Sequence, residues 1–213
     1  MGTQLSLFES IRDLLYLKPL FLLGLAVIII LLYLVSRADK TRLNLKVLCG
    51  SCLMYYYLCI VLKHIVGVPT VKDLVWRAGI GEAVFHPNIS LVPLAGGIGM
   101  DFILNILCFI PLGLLCPVIS KSYGRMKKTV LFGLWFSLAI EISQMFTLYR
   151  VTDSSDLIAN VLGTALGWFC FKTAARLKKT GKPYGDSGSA GKDPGRFFPG
   201  LTLMTAFVFT FIS

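Results

Sequence analysis

Five long apolar runs separated by polar connections dominate this chain, at positions 19–36, 47–66, 103–119, 130–148 and 155–171. Each approaches the roughly 20 residues that a helix needs to cross the hydrocarbon core of a bilayer. Pro111 and Gly113 interrupt the third. A sixth run, 197–212, is short for a span. The pattern predicts an all-α fold, a polytopic transmembrane helical bundle of five core spans plus a short C-terminal sixth.

The connections divide the chain. Residues 1–66 form an N-terminal two-span region, and 67–100 an extracytoplasmic or interfacial loop carrying Trp76, Arg77, three prolines (Pro69, Pro87, Pro93) and Gly96, Gly97 and Gly99. So much Gly and Pro breaks a regular span, so an interfacial or re-entrant segment is expected. Residues 101–171 make a three-helix core. The stretch 172–196, rich in Lys, Gly, Ser and Pro, cannot build a core and reads as a flexible basic cytoplasmic loop. Residues 197–213 are the final span. No internal repeat stands out, which argues against an inverted-repeat transporter.

Composition sharpens this picture. Of 213 residues 55% are hydrophobic and 15% charged, with a mean hydropathy of +0.74. Soluble domains carry roughly 25% charge, so a water-soluble globule is excluded, as is a large catalytic ectodomain. The net charge of +10 would suit a nucleic-acid partner, but cytoplasmic loops of membrane proteins gather Lys and Arg in the same way. No nucleic-acid partner is expected. The six cysteines, Cys49, Cys52, Cys59, Cys108, Cys116 and Cys170, lie in or beside apolar runs and read as small apolar residues. The lone CxxC at Cys49 and Cys52 lacks the paired polar setting of a zinc or redox site. The loose myristoylation pattern at Met1-Gly2 with Ser6 is short and recurs by chance, and no cleavable signal is evident.

Basic residues orient the bundle. Lys and Arg at 37, 40, 42 and 46, at 121, 125, 127 and 128, and at 172, 176, 178, 179, 182, 192 and 196 total fifteen on one side, against six (12, 18, 63, 72, 77 and 150) on the other. The positive-inside rule then places the N-terminus extracytoplasmic in a multi-pass plasma-membrane protein.

With that topology the intramembrane polar residues gather towards one side. Asp101, Asn105 and Cys108 share a face of the third run, and Ser137, Glu141 and Gln144 a face of the fourth. Asp153, Asp156, Asn160, Gly163 and Gly167 stripe the fifth in steps of three and four. Arg150 lies on the short outer loop between the last two. A charge at mid-span costs about 3 kcal/mol on insertion scales, so Glu141 must pair, protonate or meet water. The candidate ligand-binding residues are Asn105, Glu141, Gln144, Arg150, Asp153, Asp156 and Asn160. No catalytic residue, metal ligand or cofactor is assigned. Each position also has a structural explanation: Asp153 or Ser154 as a helix cap, Asp156 against the helix dipole, the glycines as close packing, the amides as interhelical glue. Packing alone does not require so many polar groups on one side. Lys63 and His64 are expected to snorkel at the outer end of the second helix. His86 is a lone loop histidine, and Asn88-Ile89-Ser90 is a sequon that matters only in a eukaryotic secretory setting.

Asn105-Ile-Leu-Cys-Phe109-Ile-Pro111-Leu-Gly113 resembles the N-x-x-x-F-x-P-x-G segment of VanZ-like membrane proteins. Glu141-x-x-Gln144, with Arg150-x-x-Asp153-x-x-Asp156-x-x-x-Asn160-x-x-Gly163-x-x-x-Gly167, is similar to that family's second block, and Asn88 to Leu94, ending Val92-Pro93-Leu94, to its upstream Asn/Pro segment. The resemblance covers roughly 88–171. It implies a bacterial plasma-membrane protein linked to resistance to the lipoglycopeptide teicoplanin, without the target-altering chemistry that defeats vancomycin.

Three functions compete. The first is an envelope protein whose outer pocket binds a lipid, lipid-linked or lipoglycopeptide ligand, with Trp76 and its apolar neighbours holding an acyl chain. The second is a membrane enzyme acting on an outer-leaflet lipid head group, with Glu141 and Asp156 as acid and base, Arg150 as phosphate clamp and Asp153 with Asp156 as metal ligands. The third, a lipid flippase or proton-coupled transporter, would need polar residues continuing to the inner half. The first ranks highest, with membrane lipids as the expected partners.

Overall fold

The computed structural model describes residues 16, 18–40, 43–90, 92–94, 97–148, 150–177 and 193–213. Most of the basic loop expected over 172–196 and the acylation pattern at the N-terminus lie outside the described residues.

The protein is a transmembrane helical bundle. Helix α1 runs Pro19–Ala38, with Pro19 at its first turn, where the missing N–H costs nothing. Helix α2 spans Leu45–Ile60, N-capped by Asn44, and passes into a π-helical turn, Val61–Val66, that Gly67 ends at φ 68°. A short helix α3, Val71–Gly79, follows. Helices α4 (Met100–Ile119), α5 (Met126–Gln144) and α6 (Ser154–Leu177) come next, and α7 (Phe198–Phe211) closes the described chain. By length and composition, Pro19–Ala38, Leu45–Gly79, Met100–Ile119 and Ser154–Leu177 are long and apolar enough to cross a membrane. Helix α5 has 19 residues. Helix α7 has 14, about 21 Å of rise, and is shorter than the roughly 30 Å hydrocarbon core.

Three boundaries depart from the apolar pattern. Helix α4 runs unbroken through Pro111 and Gly113. Pro111 cannot donate to the preceding turn, but neighbouring helices tie down this stretch, and the Tyr57 hydroxyl donates to the Cys108 carbonyl at 2.6 Å. Helix α5 starts at Met126 and stops at Gln144, earlier than its apolar run, where the Thr147 N–H and hydroxyl both donate to the Gln144 carbonyl and turn the chain. Helix α6 continues to Leu177, into the stretch expected to be loop.

The interfacial connection is more ordered than its Gly and Pro content indicates. A capping box starts α3: Thr70 Oγ1 accepts from the Asp73 N–H, and Asp73 Oδ2 accepts from the Thr70 N–H. Val75 and Trp76 face outward while Arg77 is buried, donating to the Asp73 and Phe146 carbonyls. Further on, Ile89–Ser90 (β1) pairs in parallel with Thr152–Asp153 (β2), Ile89 opposite Thr152 and Ser90 opposite Asp153. This two-residue bridge fastens the loop to the start of α6.

Packing divides the helices into two groups joined through α2 and α4. Helix α4 lies most extensively on α6, with α5 against α6, while α7 packs on α1 and α2. Glycines permit the α4–α6 contact. A Cβ on Gly113 would overlap the Thr164 carbonyl, and one on Gly163 or Gly167 would overlap the Ile106 or Ile110 carbonyl. Such reciprocal glycine-to-backbone contact is how membrane helices gain packing energy where lipid supplies no hydrophobic drive.

Candidate functional site

At the end of the bundle where α2 leaves, α4 begins, α5 ends and α6 begins, a cavity of about 400 Å³ opens between the helices. Asn105, Glu141, Gln144, Arg150, Asp153, Asp156 and Asn160 all line it. Asn105 stands in the second turn of α4. Glu141 and Gln144 occupy the last turn of α5, Arg150 and Asp153 the connection, and Asp156 and Asn160 the first two turns of α6.

Local hydrogen bonds fix these side chains. Glu141 is 5% exposed. Its Oε2 accepts from the Asp153 N–H at 3.0 Å, and its carbonyl accepts from Thr152 Oγ1 at 3.1 Å. Asp153 Oδ1 accepts from the Ser155 N–H at 2.8 Å, giving Asp153 the capping role open to it in sequence. Asn105 of α4 and Asp156 of α6 line the same cavity. Asn160 Nδ2 donates to Ser137 Oγ at 2.9 Å, a buried bond between α6 and α5. The Arg150 Nη2 donates to the Ile65 carbonyl at 2.8 Å, so this guanidinium anchors the π turn after α2.

Sequence reasoning passed over part of the wall. Asp101 and Cys108, which the helical spacing places on the Asn105 face but which are not among the candidate ligand residues, line the cavity as well. Val61, Ile65 and Val66 from the π turn, with Leu104 and Ile140, supply an apolar side. Nothing in the sequence marked the second span as a contributor. Lys63 lies over the Phe21 ring, 5.1 Å from its centroid, away from this wall. The upstream Asn/Pro segment is not in the wall either. It covers the connection from outside, with the Asn88 carbonyl accepting from the Thr152 N–H at 2.9 Å and Ser155 Oγ accepting from the Leu94 N–H at 2.9 Å.

Chemically the cavity is acidic. Asp101, Glu141, Asp153 and Asp156 face it with Arg150 as the cation of the wall. Among the described residues no group of three or more His, Cys, Asp or Glu side chains is arranged to hold a metal ion.

Residues 19–176 match the VanZ/LLP1 family, a stretch that includes every candidate residue. The chain belongs to the VanZ/LLP1 family. Among curated proteins, Protein VanZ of Enterococcus faecium is 38% identical over 81 residues, which is 38% of this chain and 50% of that protein. The match thus spans about half the length of that relative. No solved structure matches the chain. Helix α7 lies beyond the stretch that the VanZ/LLP1 family covers.

Proposed function

We propose that this VanZ/LLP1-family protein lowers the susceptibility of the bacterial cell envelope to glycopeptide or lipoglycopeptide antibiotics of the teicoplanin type, by binding a lipid or drug ligand in the polar cavity. The observation that carries the reading is the convergence of seven candidate side chains from two helices, a connection and a third helix onto one cavity. Buried polar residues in a membrane bundle are costly and mark ligand or ion sites by default. The N-terminus and the cavity face outward in this proposal. Arg37, Lys46, Arg125 and Arg176 at the opposite helix ends support it, since cytoplasmic ends collect Lys and Arg.

The test is teicoplanin and vancomycin susceptibility of a sensitive Gram-positive host expressing wild type or Arg150→Ala, with membrane abundance measured by blot. Selective teicoplanin protection by wild type, lost in the variant at equal abundance, is the expected result. Well-expressed wild type without protection overturns the resistance role.

A further inference from the structure

Three buried hydrogen-bond acceptors around the cavity have no partner. Glu141, Gln144 and Asn160 are 5%, 6% and 3% exposed, all three line the cavity, and Glu141 Oε1, Gln144 Oε1 and Asn160 Oδ1 accept no bond. Native proteins rarely leave such groups unmade, and each asks for a bound donor. Among the described residues, no fully buried donor of this wall is left without a partner. The mismatch has a direction: a ligand that satisfies these three oxygens must bring N–H or O–H groups.

Charge points the same way. Four carboxylates face the space, and the guanidinium beside them donates from Nη2 to the Ile65 carbonyl. A phosphate or carboxylate placed there meets like charge from Asp153, Asp156 and Glu141, whereas a cation is drawn in. A primary ammonium carries one positive charge and three N–H donors. A quaternary ammonium carries charge without donors and is held instead by aromatic cages. Among the described residues, Phe109 is the one aromatic residue of the wall. The apolar side formed by Ile65, Leu104 and Ile140 suits an alkyl segment attached to such a group.

We infer that the cavity takes the primary ammonium group of an amphiphile, with the ammonium against Glu141 and Asp156 and the alkyl segment along Ile65 and Leu104. This rests on the ligand-binding reading above and narrows its chemistry. The ammonium comes either from an outer-leaflet lipid head group or from the amphiphilic drug itself.

The probe is N-dansyl-1,5-diaminopentane, an environment-sensitive primary amine, titrated into the purified full chain in phosphatidylcholine nanodiscs at pH 7. Its N-acetyl and N-trimethyl derivatives serve as comparisons. Saturable binding of the amine is expected, at least tenfold tighter than either derivative, equivalent to about 1.4 kcal/mol. Asp156→Asn should weaken the amine about tenfold and leave the acetylated probe unchanged. Asp101→Asn, at an exposed rim position where folding is not at stake, should weaken the amine in the same sense. Displacement by phosphatidylethanolamine built into the discs identifies a lipid source, and displacement by added teicoplanin identifies the drug. Equal binding of amine and acetylated probe overturns the ammonium assignment. So does wild type that protects cells yet binds no amine, and in that outcome the envelope role stands while this inference falls.

Discussion

The backbone N–H of Asp153 donates to the Glu141 carboxylate at 3.0 Å, joining the last turn of α5 to the residue that opens α6. Twelve positions separate the two in sequence. Through this bond the buried acid of the fourth span sets where the fifth begins, and with it where Asp156 and Asn160 stand. One oxygen of Glu141 is thereby structural, while the other is buried and accepts no bond.

Glu141→Gln separates those two roles. The amide oxygen still accepts from Asp153, so the protein should reach the membrane at wild-type abundance, while teicoplanin susceptibility returns to that of the host alone. Asp156→Asn should behave likewise. Normal protection by both variants at normal abundance removes the cavity from the mechanism.

Close approach of α4 and α6 depends on hydrogen at three Cα positions. Gly113→Ala, Gly163→Ala or Gly167→Ala each sets a methyl against a backbone carbonyl rather than a flexible side chain. Each should destabilise the bundle by about 1–3 kcal/mol, measured as a lower unfolding temperature in detergent. Gly200→Ala on α7, with nothing within 4 Å of the added carbon, should melt like wild type.

The Asn160–Ser137 bond is buried between α6 and α5. Interhelical hydrogen bonds in membranes average about 0.6 kcal/mol, reaching about 1.7 kcal/mol. A double-mutant cycle with Asn160→Ala and Ser137→Ala, read by reversible unfolding in mixed micelles, should return a coupling in that range. Zero coupling would mean that Asn160 is held by the cavity contents and not by Ser137.

Asp193 provides a pH test outside the spans. Burial alone would raise its carboxyl, but hydrogen bonds from the Ser122 and Ser120 side chains, with the Ser122 and Gly195 N–H groups, outweigh burial and hold it below the ordinary value. Ser120 Oγ and the Ser122 N–H lie 2.8 and 2.7 Å from Oδ2. A carboxyl lowered on folding contributes stability in full above its unfolded pKa of about 3.9 and loses it as pH falls through the folded value. Asp193→Asn should therefore destabilise α7 docking by about 1 kcal/mol at pH 7, and the gap from wild type should narrow as the pH is lowered below about 3.9. Hydrogen exchange of the α7 amides across that pH range reads this directly.

Much of the site was legible because helices repeat. Asn105, Glu141, Gln144, Asp156 and Asn160 stand at steps that place them on single helix faces, and Arg150 lies on a connection too short to travel far. Partner choice was not legible. In sequence Arg150 is the nearest cation to Glu141, yet its guanidinium reaches back to Ile65, 85 positions earlier. Asn160, readable as generic interhelical glue, bonds specifically to Ser137. The 67–100 connection was readable as irregular but not as a capped helix followed by a parallel bridge, since Thr70 and Asp73 act only once the chain has turned there.

Hydrophobic run length determined by itself that this chain is a transmembrane helical bundle, because a bilayer leaves an apolar segment of about 20 residues no cheaper conformation than a helix with its backbone bonds satisfied internally. Polar periodicity determined which face of each helix is unsuited to lipid. Only the tertiary structure decided how those faces meet. Glycines at 113, 163 and 167 bring α4 and α6 into backbone contact, the π turn after α2 lines the cavity with an apolar wall, and the Asp153 N–H takes up one oxygen of Glu141. Such contacts join residues far apart in sequence and depend on distances of a few ångströms, a scale that spacing along one chain does not encode.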